Sequence, residues 1–214
     1  MKAILLDEEA RHCSWIDDAT SGKMREPMMR YMQVLKAFDA SNTSGKMWSV
    51  GWLADEMGQH PMASPSVFNF FLPSYAPSGP VSDYSLVAPE FEILNSAIAI
   101  KYINLISDMF FGDIYMESIT MSDPDEIGYP WWEMGFESPE DQVSLNFDDE
   151  IILASTDTYA MVDRLNILLA GGTMTSETIN TISDLVDIED LDSTDRVKIA
   201  LYLLLISPDY IIQK

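Results

Sequence analysis

Apolar residues recur at three- and four-residue steps along much of this chain, a spacing that places them on one face of a helix. Residues 2–13 set Ile4 and Leu5 against a charged side, enough for one or two turns that need packing to persist. Ser21–Gly22–Lys23 breaks the pattern, and Pro27 stands where a first-turn proline belongs. Met28, Tyr31, Met32, Leu35 and Phe38 then form one stripe, which the polar run Ser41–Gly45 ends. Trp48 to Gln59 predicts a short helix with Trp52, Leu53 and Met57 inward. The clearest pattern runs from Pro89 to Phe111. Phe91, Leu94, Ile98, Tyr102, Leu105 and Met109 make its stripe, and Ala97, Ile100, Ile103 and Ile106 widen it past half the circumference. A helix that apolar is expected at the centre of its fold. Glu90 and Glu92 favour its N-terminal dipole, and Gly112 stops it.

The last third repeats the helical grammar. Ser155–Thr156–Asp157 can cap a helix carrying Met161, Leu165, Leu168 and Leu169, and Gly171–Gly172 ends it. Thr175 or Ser176 caps the next, with Ile179, Ile182, Leu185 and Val186 inward. Ser193 or Thr194 caps a long one that buries Val197, Ala200, Leu201, Leu204 and Leu205. Pro208 follows, and residues 210–213 make a final turn. No alternating strand pattern of useful length and no internal repeat is present. The expected fold is all-α, with about six or seven helices packed around the 89–111 helix.

Two stretches break the rhythm. Residues 60–88 hold five of the chain's 11 prolines, interleaved with Phe68, Phe70, Phe71, Tyr75 and Tyr84. Prolines break helices and sheets, while a flexible linker lacks large apolar groups. The expectation is an ordered, mostly buried loop pinned by its rings. Residues 113–149 form the second irregular stretch, rich in Asp, Glu, Pro and Trp.

Composition narrows the partners more than the fold. The chain has 214 residues, with 12 Lys+Arg against 35 Asp+Glu and a formal charge of −23. That length favours one domain, 1–214, over two. The negative balance argues against nucleic acid, which is bound through cations, and against an anionic membrane surface. No run of apolar residues reaches the length of a membrane span. The start, KAILLDEEAR after Met1, is acidic and lacks the basic front of a signal peptide. The acidity fits a solvated surface, divalent-cation binding or a cationic partner.

Candidate chemistry is sparse. The single cysteine, Cys13, excludes an intrachain disulfide. His12 beside it would point about 100° away on a helix. Common zinc, phosphate-loop and serine-hydrolase signatures are missing. His60, Ser66, Asn69 and Glu90 are the catalytic candidates, although His60 equally reads as a structural, hydrogen-bonded side chain. Asp123, Asp125 and Glu126 offer the hard oxygens that suit Ca²⁺, without the full calcium-loop spacing. Trp131 and Trp132 could stack a sugar or simply pack. Arg25 and Glu26 form a charged pair at a helix start, where a guanidinium can fork onto a carboxylate.

Several segments resemble one family. His60 to Pro80, HPMASPSVFNFFLPSYAPSGP, resembles the signature loop of the bacterial domain of unknown function 1800 family. Leu86–Leu94, Arg25-Glu-Pro with its helix, Val162–Gly172 and Ala200–Lys214 resemble later and earlier parts of that family in the same order. The resemblance implies a largely helical fold and a chain corresponding to the C-terminal part of a longer protein. It also implies an envelope or secreted setting, with a partner protein or an N-terminal portion alongside. It supplies no reaction and no catalytic residues. The expected role is a non-catalytic structural or protein-interaction module. The alternatives are a hydrolase-like enzyme, or half of one, near 60–92, and a calcium- or carbohydrate-binding module using 123–150.

Overall fold

The computed structural model describes residues 2–11, 21–43, 57–59, 63–111 and 144–213. They are mainly helical. Two single-turn helices, α1 (Lys2–Leu5) and α2 (Glu8–Arg11), come first. Strand β1 (Lys23–Met24) leads into α3 (Pro27–Ala37), whose first residue is the expected proline. A one-turn helix, α4 (Pro80–Asp83), lies inside the proline-rich segment. After it come α5 (Ser96–Phe111), α6 (Asp148–Ala154), α7 (Thr158–Leu165), α8 (Ser176–Val186), α9 (Ser193–Ile206) and α10 (Pro208–Ile211). Strand β2 (Ile212–Gln213) pairs antiparallel with β1, Lys23 opposite Gln213 and Met24 opposite Ile212. The all-α expectation holds, with this short pairing as a clasp.

The middle of the core belongs to α9. Val197, Ala200, Leu201, Leu204 and Leu205 are wholly covered, and α5, α6, α7, α8 and α10 all pack on it. Each leucine buried this way is worth roughly 2 kcal/mol. Its N-cap is Asp192, which accepts from the Asp195 amide at 2.8 Å. The cap therefore sits ahead of the expected Ser193 or Thr194. The α8 cap is Thr175, as its sequence suggests. Leu185 on α8 is half exposed and is not a core residue.

The expected helix over 89–111 is two elements. Pro89–Glu92 is a single 3₁₀ turn, and α5 starts afresh at Ser96. Asn95 makes the restart: its side chain accepts from the Ile98 amide at 3.0 Å and its carbonyl from Ala99 at 2.9 Å. Tyr102, Leu105, Ile106, Met109 and Phe110 on α5 are buried, while Ile100 is 60% exposed and Ile103 also faces outward. The apolar width of α5 exceeds what its neighbours cover.

Polar and aromatic contacts fix the remaining angles. Arg164 on α7 donates from Nε to Glu150 at 2.7 Å and from Nη2 to Asp149 at 3.0 Å, tying α7 to the first turn of α6. The Glu150 contact raises the Arg164 pKa above its ordinary value. Phe147, just ahead of α6, meets Phe38 edge-on at 4.8 Å. Beyond α7, a π-helical turn over Asn166–Ala170 ends at Gly171, whose φ of 66° is left-handed.

The proline-rich segment departs from expectation. Residues 63–69 are exposed, Phe70, Phe71 and Tyr75 are only half buried, and Phe68 is 55% exposed. Hydrogen bonds hold the chain instead. Asn69 N donates to Ser66 O at 3.2 Å, Leu72 N to the Glu92 carboxylate, and Ala88 N to Tyr75 O at 2.9 Å. The backbone reverses between Ser66 and Asn69, with Asn69 at φ 67°. The neighbouring surface is too small to cover these rings.

Candidate functional site

A local reversal of charge precedes the site. Residues 23–36 contain Lys23, Arg25, Arg30 and Lys36, four of the chain's 12 cations, and one acid, Glu26, of its 35. The structure gathers three of these cations around an open cleft of about 610 Å³. Lys23 comes from β1, Arg25 from the link to α3, and Lys36 from the end of α3. Glu26 and Glu90 supply the acids, and Met29, Met32 and Leu168 contribute apolar wall.

Arg25 is held by the end of another helix. Its Nη1 donates to the Leu169 carbonyl and, at 3.1 Å, to Gln33 Oε1. Gln33 Nε2 donates to the same carbonyl at 2.8 Å. Leu169 lies in the π-helical turn, where the last carbonyls have no amide partner within the helix. The negative end of that helix dipole suits a guanidinium. The Arg25 guanidinium also lies over the Tyr210 ring, 4.9 Å from its centroid. Tyr210 is buried and donates to Arg30 O at 3.1 Å and Gln33 Oε1 at 3.3 Å. Burial raises the Tyr210 pKa, so this donor stays protonated.

Glu26 is oriented from the opposite side. Gln59, itself buried, donates through Nε2 to Glu26 Oε2 and accepts from the Met28 amide at 3.2 Å. That acceptor satisfies one of the amides left open at the start of α3. Arg25 and Glu26 thus take separate partners and do not form the expected charged pair.

Arg30 is the least conventional member of the group. It is 1% exposed, lies 3.9 Å over the Tyr102 ring, and among the described residues its Nε and Nη2 make no hydrogen bond. Burial lowers its pKa, opposed by Tyr102 and Tyr210. Burial likewise pushes the Tyr102 hydroxyl up to about 12. Nothing in an apolar periodicity marks Arg30, because its position reads as the polar gap in a helical stripe. The density of cations between 23 and 36 was the available signal for the cleft.

The predicted site residues divide cleanly. Arg25, Glu26 and Glu90 line the same cleft. Ser66 and Asn69 close a turn on each other: Ser66 Oγ accepts from Phe68 N at 3.0 Å. Neither lines the cleft. His12, Cys13, His60, Asp123, Asp125, Glu126, Trp131 and Trp132 lie outside the described residues. Among the described residues, no group of His, Cys, Asp and Glu could hold a metal ion, and no helix is long and apolar enough to cross a membrane.

A family model described as a protein of unknown function, DUF1800, matches residues 1–212, and the chain belongs to that family. No curated protein and no solved structure matches it.

Proposed function

We propose that this DUF1800 member is a non-catalytic protein-interaction module that docks a cationic partner through its proline-rich segment. One observation carries the reading. Residues 63–87 hold Val67 at 95% exposure, Phe68 at 55% and Tyr84 at 76%, together with outward Leu72 and Val87. An ordered segment that displays this much apolar surface is what a docking face offers. Its charge selects the partner. Between residues 63 and 100 the acids Asp83, Glu90 and Glu92 occur without a single Lys, Arg or His. Apolar anchors surrounded by acids suit a basic protein surface. The formal charge of −23 opposes pairing with a second copy. The partner we propose is a separate envelope-associated or secreted protein, or an N-terminal portion of the kind the family resemblance implies.

A photo-crosslinking residue placed at Phe68 in the native host tests this, with one at the exposed Ile188 as control. A defined adduct with another polypeptide from position 68, and none from 188, is expected. No adduct specific to position 68, or an adduct with a second copy of this chain alone, would overturn the reading.

A further inference from the structure

We propose that the cleft beside α3 binds an organic monocarboxylate carrying an apolar tail. The case begins with unused cations. The chain has almost three acids for each Lys or Arg, so a concavity lined by more cations than acids is out of keeping with the composition. Lys23, Arg25 and Lys36 nevertheless form no ion pair among the described residues, whereas Arg164 and Arg196 do. Three cations in one concavity, none of them ion-paired among the described residues, answer to an anion from outside.

The arrangement also selects the kind of anion. Arg25 is fixed through Nη1 by Leu169 and Gln33 and by its stack on Tyr210. The fork of a guanidinium matches the two oxygens of a carboxylate. Three cations against Glu26 and Glu90 leave the lining at a formal +1, which suits a monoanion better than a phosphate dianion. Met29 and Met32 are exposed on the wall beside Leu168. Methionine is the adaptable side chain for an apolar body of no single shape. A head on Arg25 and a tail along the methionines account for every one of these features.

The test is titration of the full chain with octanoate, octanol and octyl phosphate at low ionic strength, followed by amide chemical shifts. Saturable octanoate binding with a Kd of about 1 mM or tighter is expected, with no saturation by octanol and weaker binding of octyl phosphate. Arg25→Gln should weaken octanoate by about tenfold or more. That variant also loses a structural contact, so Lys23→Gln/Lys36→Gln, confined to exposed side chains, accompanies it. This double variant should melt like the parent and weaken octanoate about fivefold. Equal binding of octanol, tighter binding of octyl phosphate, no octanoate binding up to about 10 mM, or unchanged affinity in the double variant would each overturn the proposal.

Discussion

At the scale of single residues, the buried pair Arg30 and Tyr102 carries the sharpest expectations. Desolvating a charge is costly when its nitrogens lack partners, and stacking on an aromatic face returns about 2 kcal/mol at most. Arg30→Met keeps the length of the side chain and removes the charge. We expect it to stabilise the protein by about 1 kcal/mol in urea denaturation. Destabilisation beyond that amount would mean that the guanidinium has a strong partner in solution. Tyr102 makes the alkaline side of the pH profile testable. Its pKa is raised to about 12 in the folded protein, with burial the main cause, against an ordinary 10 once unfolded. The folded state therefore holds the proton more tightly. The associated stability is complete below pH 10 and is lost as pH climbs towards 12. Tyr102→Phe should be close to neutral at pH 7, because its hydroxyl has no partner among the described residues, and it should unfold at a higher pH than the parent. A parent and variant with the same alkaline midpoint would assign the transition to other groups.

At the scale of elements, capping is where the sequence speaks most directly. Removing the Asp192 acceptor at the head of α9 leaves the Asp195 amide open at the start of the central helix. Asp192→Ala should cost about 1 kcal/mol, and Asp192→Asn much less, in parallel chemical melts. Equal losses would show that charge, not the hydrogen bond, does the capping. The same helix shows what periodicity can reveal: its buried positions are the ones the pattern marks, and only the cap is displaced, from Ser193 or Thr194 to Asp192. On α3 the pattern was less informative. Met32 belongs to the apolar stripe and faces solvent, while Arg30 interrupts the stripe and sits in the core. Hydrophobicity could not find Arg30, since its burial rests on an aromatic face donated by α5. The proline-rich segment failed for the converse reason. Aromatic content states a need for cover, and the supply of cover depends on elements far away in the chain. For the candidate site, Arg25, Glu26 and Glu90 were individually visible, but their convergence required β1, α3 and the turn at 89–92 to be set in space.

At the scale of the whole molecule, charge is the governing term. A formal −23 on 214 residues makes the folded state repel itself. Raising NaCl from about 0.01 M to 0.5 M shortens the Debye length from roughly 30 Å to under 8 Å. The melting temperature should rise by about 5 °C or more over that range. A fall would put local ion pairs such as Arg164–Glu150 ahead of the general repulsion. The clasp between β1 and β2 has a consequence for biosynthesis. Tyr210 reaches back to the carbonyl of Arg30 across 180 residues of sequence, and Met24 finds its strand partner only at Ile212. At roughly 5–20 residues per second, the ribosome needs about 10–40 s to deliver the second half of this closure. Throughout that interval Met24 and the inward face of α3 have no Tyr210 and no β2 to cover them. A nascent chain of this design is a natural client for holding chaperones, and a pause in translation between the two halves lengthens the time for which it needs them.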